Sequence, residues 1–424
     1  MRLLTTKPGF RVLDRQTLGQ VADWLAVGVV VLLPWSTTAT VVLIVLWLLA
    51  VLPTFDAAAL RPQLTSAAGG LPVLLWGLAA VGMLWADVPW ADRISGLGGF
   101  HRLLAIPLLL TQFRRSPNGP RVCYGFFVSA AVVMALSWFL AVLPPRVVAQ
   151  IPAFGSHVAI FGVPVKDHVW QSGIFLMSAF VLIEAAYRCW RAGRRWLAVA
   201  LLCLAAAFLA NIVFVITSRT TLLVAPVLAV ALGYRLFGWR GVAIAGVVAA
   251  VLAGTALRMS SRLYDRMAYS LLDLRDYLAT GAPNSTGLHL EYLKKSARIV
   301  ETAPVLGHGT GSIVEQFRRM ATGEAGTAAA VTTVNPHSQI FAVAIELGVV
   351  GTLVLLAMWA AHVRLFRDPG PMSWIGIVIV ADNFLSSLVN SHLFDFGQGW
   401  LYVFIVGAAG GAMLRQRDAA SGGR

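Results

Sequence analysis

The chain has 424 residues, 58% of them hydrophobic and only 12% charged, with a formal net charge of +14 and a mean hydropathy of +0.76. A soluble fold does not carry that much apolar side chain with so little charge. Apolar runs of about 20 residues recur, the length that crosses a hydrocarbon core of about 30 Å. The composition excludes a soluble enzyme and predicts an all-α, polytopic bundle of transmembrane helices.

Taken from the N-terminus, hydropathy predicts about twelve spans. They fall at 20–36, 38–54, 70–86, 97–112, 121–144, 169–187, 196–215, 219–235, 240–257, 338–363, 372–389 and 397–414. The first run follows polar residues and lacks a small-residue cleavage site, so it reads as a signal anchor, with no soluble domain expected at either end. With the N-terminus inside, the inner segments hold Arg2, Lys7, Arg11 and Arg15; Arg61; Arg114, Arg115 and Arg121; and Arg188, Arg191, Arg194 and Arg195. Arg235, Arg240, Arg364, Arg367, Arg415, Arg417 and Arg424 follow on the same side. The basicity therefore records topology, the positive-inside bias, and nucleic acid is not an expected partner. Cys123, Cys189 and Cys203 lie in or beside spans, with no spacing for a disulfide framework or a metal site.

The spans divide the chain into an N-terminal membrane block (1–257, nine spans), an outer helical segment (258–336) and a C-terminal membrane block (337–424, three spans) with a short inner tail. No internal repeat stands out. In the outer segment the spacing predicts a helix over 262–278, with Leu263, Met267, Leu271, Leu274 and Leu278 on one stripe. A break at Gly281-Ala282-Pro283-Asn284-Ser285 precedes a second helix over 288–302, with Leu290, Leu293, Ala297 and Val300 apolar. A glycine-rich turn, Pro304 to Ser312, and a short helix through Phe317 follow. The small, threonine-rich stretch Gly323 to Val334 reads as a mobile lid.

That segment ends at Asn335-Pro336-His337-Ser338-Gln339, where the chain re-enters the membrane. Asn335 is suited to cap a helix and Pro336 to its first position, which puts His337 in the first turn. The positive end of the helix dipole would keep that imidazole neutral near pH 7 and able to accept a proton. The alternative is an interfacial histidine with no chemical role.

Arg219, after Thr217-Ser218, is the only basic residue in its outer loop, and its planar fork suits a phosphate; the alternative is snorkelling to headgroups. Arg262 and Arg266, four apart, share a helix face that suits a diphosphate or lipid headgroups. Lys166, His168 and Gln171 stand at the outer start of one span and His101-Arg102 at another, as substrate contacts or as anchors. Gly307 to Gly311 is a turn or a set of backbone N–H groups near a phosphate. Glu346, nine residues after His337, falls on the opposite face of a continuous helix. It reads as a paired structural carboxylate, with Gly348 and Gly351 allowing close helix contact. Asp395, in Asn390 to Asp395, is a further outer-edge candidate.

The order Thr217-Ser218-Arg219, Pro304-Val305-Leu306-Gly307-His308-Gly309, then Pro336-His337-Ser338-Gln339 with Glu346-Leu347-Gly348-Val349-Val350-Gly351 resembles the O-antigen ligase and polymerase family of bacterial envelope enzymes. The likeness covers the second half of the chain in motifs and the first half only in span number and hydropathy. It implies a membrane glycosyltransferase that works at the periplasmic face of a Gram-negative inner membrane, with both termini cytoplasmic and no metal or other cofactor. The implied donor is an O-antigen glycan on undecaprenyl diphosphate and the implied acceptor a sugar hydroxyl of lipid A–core. His337 matches the family's loop histidine, its proposed base; Arg219 matches the arginine after the serine, and Pro304–Gly309 the proline-glycine turn. Many members carry an arginine shortly after a serine at the start of the second loop helix. Aligning Ser285 puts His289 there instead, and Arg266 or Arg298 would then supply the missing charge.

The implied reaction is one direct, inverting displacement, with arginines neutralising the diphosphate and His337 taking the hydroxyl proton. No pair of carboxylates is spaced for a covalent sugar intermediate. A polymerase and a protein-glycosylating ligase are the alternatives within the family. A flippase or secondary transporter is the alternative outside it, but Asp23, Glu184, Glu346 and Asp382 are scattered rather than paired at mid-depth.

Overall fold

Side-chain caps decide where many of the helices begin. Asp14, Ser36, Asp56, Ser66, Asp167, Ser218, Ser260 and Asn284 each accept a backbone N–H from the first turn of the helix that follows. The computed structural model describes residues 14–150, 162–216, 218–323 and 326–422, and every extended regular element among them is a helix. The first eight are α1 (Arg15–Leu32), α2 (Thr37–Val51), α3 (Ala57–Leu64), α4 (Ala67–Gly82), α5 (Trp90–His101), α6 (Ala105–Arg115), α7 (Gly119–Val142) and α8 (Pro145–Ala149). Then come α9 (His168–Arg191), α10 (Arg195–Phe214) and α11 (Arg219–Met259). The polar segment holds α12 (Ser261–Thr280), α13 (Ser285–Thr302) and α14 (Ile313–Arg319), and the chain ends with α15 (Gln339–Leu365), α16 (Pro371–Ser386) and α17 (Phe396–Gly422).

The core forms around α17, whose residues from Leu401 to Met413 are almost all buried. Gly407 lies against Leu109, and Gly411 against Phe113, so α6 approaches the α17 backbone closely. Small residues at such a seam are how apolar helices gain contact in a solvent as apolar as themselves. Trp47 of α2 packs on Phe404 from the other side, with ring centroids 5.3 Å apart.

The expected count of about twelve spans is not confirmed. Eight helices are long and apolar enough to cross a bilayer among the described residues, or nine if a bent pair counts as one span. The difference has local causes. The helix α1 carries Arg15 and Asp23, and α16 has only 16 residues. The expected span at 70–86 belongs to α3 and α4, which meet at 88°. The spans at 219–235 and 240–257 are one 41-residue helix by hydrogen bonding, with a corner at Gly238 (φ 62°, ψ −147°). On a straight helix Gly233 and Gly241 would stand about 12 Å apart. A Cβ on Gly233 would instead meet the Gly241 carbonyl oxygen at 2.3 Å, so the arms 219–237 and 239–259 fold toward each other.

A second corner of the same kind lies in α15, at Gly348 (φ 63°, ψ −157°). Val343 would be within 3.2 Å of a Cβ on Gly351, which a straight helix forbids. The short arm 339–347 therefore doubles back against the start of the long arm 349–365. The Pro304–Gly311 turn docks on this corner. His308 and Gly309 donate backbone N–H groups to the carbonyls of Ile345 (2.8 Å) and Glu346 (2.9 Å), and Val349 donates to Pro304 (2.8 Å). Thr310 ties the turn to α4, its N–H to the Gly82 carbonyl (3.2 Å) and its hydroxyl to that of Ala79 (2.7 Å).

One end of the bundle gathers basic residues with carboxylates. Arg114 pairs with Asp418 (2.7 Å), Arg417 with Asp368 (2.5 Å), and both Arg188 and Arg235 with Glu184 (2.6 and 3.2 Å). Arg219 starts the same arm whose far end carries Arg235, roughly 24 Å away at 1.5 Å per residue. It therefore belongs to the opposite end of the bundle.

A buried carboxylate joins the first helices. Asp23 accepts from Gln112 Nε2 (2.8 Å), Asn118 Nδ2 (2.8 Å) and the Ser116 hydroxyl, while Gln112 Oε1 accepts from Trp47 Nε1 (2.9 Å). Asp23→Ala strips the acceptor from three donors, and each donor left unmet in a buried site costs about 1–3 kcal/mol. A markedly lower thermal midpoint in detergent is expected, with Asp23→Asn in between. An unchanged midpoint for the alanine variant would show that water replaces the carboxylate freely.

Candidate active site

The arm 219–237 brings Arg219 to the end of the bundle opposite the Arg188, Arg235 and Glu184 cluster, where Ser218 caps the arm, its hydroxyl accepting from Thr221 N–H at 3.2 Å. The guanidinium reaches the polar segment. Arg219 Nη1 donates to Thr286 Oγ1 of α13 (3.1 Å), and Nη2 lies 3.5 Å from Asp273 Oδ2 of α12. Thr286 Oγ1 also donates to that carboxylate oxygen at 3.4 Å. The Arg219 Nε is buried and unpartnered. A fork with one carboxylate against it and a spare donor has the chemistry to hold an anion, and Asp273 lies against part of it.

Three residues along α13 from Thr286 comes His289, and three further Tyr292, so all lie on one helical face. His289 and Tyr292 enclose His337. The His289 and His337 rings meet edge to face with centroids 4.5 Å apart, and Tyr292 stacks parallel on His337 at 5.6 Å and 7°. Arg219, His289 and His337, drawn from three distant parts of the chain, thus form one half-buried constellation.

His337 is not in a first helical turn. Helix α15 begins at Gln339, and His337 sits before Ser338 in the left-handed region (φ 53°). Asn335 does not cap α15 either. Its Oδ1 accepts the His337 N–H (2.8 Å) and the Ser391 hydroxyl (2.7 Å), a turn braced by the loop after α16. That loop also takes over the capping role, since Gln339 N–H donates to the carbonyls of Ser387 (2.8 Å) and Asn390 (3.2 Å). A bulky residue with positive φ is strain that the surroundings must enforce, and such residues gather at working sites.

The Asn390 side chain lies beside the His337 ring and favours its charged form. Burial keeps the His337 imidazole below its ordinary pKa, against that effect of Asn390. For His289 the shift is larger: burial first, then His337, then the charge of Arg219 push it down to about 4. Both rings are therefore neutral at pH 7, and it is desolvation rather than a helix dipole that keeps His337 able to accept a proton.

The other sequence candidates distribute as follows. Arg298 is exposed on α13, nine residues from His289 and so on the opposite face, away from the constellation. Arg262 and Arg266 lie on α12, and their side chains fall outside the described residues. Arg102 is buried and donates to the Asp395 carbonyl, while Lys166 Nζ lies over the rings of Trp170 (4.8 Å) and Phe396 (5.6 Å). Those two surround the start of α17, a cluster separate from the histidines. His168 opens α9 and is exposed. Among the described residues, neither Lys166 nor Arg102 contacts Arg219.

The glycine turn does not present free N–H groups to a phosphate. Those of His308, Gly309 and Thr310 bond protein carbonyls, and that of Gly311 bonds Glu346 Oε1 (2.9 Å). Gly307 is required for the close approach, since a Cβ would lie 2.5 Å from the Glu346 carbonyl carbon. Glu346 is buried, its Oε1 accepting the Gly311 N–H and its Oε2 without a hydrogen-bond partner among the described residues, and it is not on one continuous helix with His337. Gly348 serves as a corner rather than a flat contact, and Gly351 accommodates Leu347 across it.

Sequence reasoning missed Asp273, Thr286, Tyr292 and Asn390. Thr286 and Tyr292 were discoverable at three-residue spacing from His289. The expected apolar stripe of the second loop helix runs one residue off: Tyr292, Lys295, Ser296 and Ile299 are buried instead. The stretch after Gly323 is fastened where it is described. Lys295 Nζ donates to the carbonyls of Ala329 (2.7 Å) and Val331 (3.0 Å), and Ala328 N–H to that of Gly281 (2.9 Å), which leaves no free lid there. No group of three His, Cys, Asp or Glu side chains stands together to hold a metal among the described residues.

Residues 204–356 match the family model described as O-Antigen ligase, a stretch that includes Arg219, the polar segment, His337 and Glu346. No curated protein matches the chain. The chain thus carries an O-antigen ligase family domain within a multi-pass membrane protein, which supports glycosyl transfer of the ligase or polymerase type.

Proposed function

We propose that this protein is an O-antigen ligase, which transfers a polysaccharide from undecaprenyl diphosphate to a sugar hydroxyl of lipid A–core at the periplasmic face of the inner membrane. The observation that carries the proposal is the meeting of Arg219, His289 and His337 at the end of the bundle away from its basic edge. The positive-inside bias puts that basic edge in the cytoplasm and the constellation outside it. The apolar residues Met267, Leu271 and Leu278 of α12 are exposed directly after the outward-facing arm 239–259, as suits a helix lying on lipid.

In this reading the donor's diphosphate takes the place of Asp273 on the Arg219 fork. The acceptor hydroxyl approaches His337, attacks the anomeric carbon from the face opposite the diphosphate, and gives its proton to the imidazole. The sugar–oxygen bond to the phosphate breaks, the electron pair leaves on the phosphate oxygen, and the anomeric centre inverts. Arg219 meets the charge that develops there, while Asn390 and Tyr292 hold the base in register.

Deleting the gene tests the assignment. A ligase leaves lipid A–core without any polymer while lipid-linked polymer accumulates; one attached repeat unit on each core means a polymerase. With purified protein, Arg219→Ala should raise the donor KM about 10- to 100-fold, the worth of one or two charge-assisted hydrogen bonds. Arg219→Lys should recover part of that, since it keeps the charge and loses the fork. An unaltered KM in the alanine variant would remove Arg219 from the donor site.

A further inference from the structure

We infer that His289 is a conditional cation, neutral in the empty site and protonated when the donor's diphosphate arrives, so that donor binding takes up a proton. This rests on the reading of the constellation as a diphosphate site and adds how that site supplies its second positive charge.

The geometry places His289 where a fixed cation would be most useful to an anion and most harmful to the base. It stands one helical turn from Thr286, which touches Arg219, and its ring contacts His337 at 4.5 Å. An arginine there would hold a permanent charge against His337 whether or not donor were bound. A histidine need not. Among the described residues, the charged and titratable groups facing the pair are Arg219 from α11, Asp273 of α12 beyond it, and the Tyr292 phenol on α13.

With the site empty, burial, His337 and Arg219 all act against the His289 imidazolium and hold it at about 4. A diphosphate seated on Arg219 reverses the local field. An opposite charge within about 4–6 Å raises such a group by about 1–3 units, and two phosphate charges work at the upper end. His289 then binds as imidazolium near pH 6, whereas His337, on the far side and beside Asn390, stays neutral because two imidazoliums in contact repel. The donor itself does not titrate in this range, since each of its phosphates carries one ester and one anhydride link and keeps only a strongly acidic hydroxyl.

The test is a binding measurement that needs no transfer. A geranyl-diphosphate-linked N-acetylglucosamine is titrated calorimetrically into the full-length protein in detergent at pH 6, in two buffers of different ionisation enthalpy, and its affinity is followed from pH 5 to 8. The wild type should take up about one proton, and its affinity should fall up to about tenfold per pH unit as pH rises from about 5 toward 7. His289→Asn should bind more weakly at pH 6 with no uptake, and His289→Arg should bind with no uptake and no slope. Proton uptake that persists in His289→Asn would put the charge on another group and overturn the inference while leaving the diphosphate site intact. No binding of the probe to the wild type would overturn both.

Discussion

Transfer by a His337→Ala protein should fall about 10²- to 10⁴-fold, the contribution of a positioned general base, with folding and donor affinity largely retained. The imidazole is half-buried between Tyr292 and His289, and its backbone turn is held by Asn335 and Asn390 rather than by its own ring. Removing the ring therefore deletes a proton acceptor more than a structural support. The pH profile carries the second half of the prediction. The base works when neutral, and burial lowers the His337 pKa, so activity should persist below the ordinary imidazole value of 6.5 and drop only as pH falls through the shifted one. Asn390→Ala should lower kcat and push that acid limb further down, because it removes a side chain that favours the charged form. A His337→Ala protein that transfers at the wild-type rate would falsify the base assignment.

Much of this was legible in the chain because charge is scarce in it. Arg219 stands out as the only basic residue in its own outer loop, and His337 as the titratable group where a polar segment re-enters apolar sequence. What could not be read locally was set by partners far away. Asn335-Pro336 has the look of a cap, yet the loop after α16 supplies the carbonyls that receive Gln339 N–H, and Asn335 is diverted to a turn that forces His337 to positive φ. Lys295 and Ser296 displaced the expected apolar stripe of α13 because Lys295 finds two backbone carbonyls in the following stretch. The bends were hidden as well: a glycine corner reads the same as a glycine in a straight helix until its dihedral angles are known. The resemblance named the order of the motifs, but not that the proline-glycine turn would dock on the corner beside Glu346.

Gly348→Ala should be strongly damaging for the addition of a single methyl. At φ 63° and ψ −157° the backbone lies in a region essentially closed to residues with a Cβ, a strain of about 1–3 kcal/mol. Here the methyl also lands 2.2 Å from the Val305 carbonyl oxygen and 2.7 Å from Gly307 N, backbone atoms already committed to the dock. The turn must lift or the corner must open, and either movement breaks the bonds from His308 to Ile345 and from Gly309 to Glu346. It also shifts the arm 339–347, which carries His337 at its start. Gly238→Ala supplies the comparison, since it has nearly the same dihedral angles but nothing within 4 Å of the added carbon. That variant should lose the strain energy alone and keep transfer. Gly254→Ala, on the arm 239–259 with ordinary φ and open space, should be neutral or slightly stabilising. The thermal midpoints should therefore rank Gly254→Ala, Gly238→Ala, Gly348→Ala from highest to lowest, with transfer lost only in the last. Equal losses at Gly238 and Gly348 would mean that the dock yields without cost, and that the corner alone, not its union with the Pro304–Gly311 turn, fixes the base in the site.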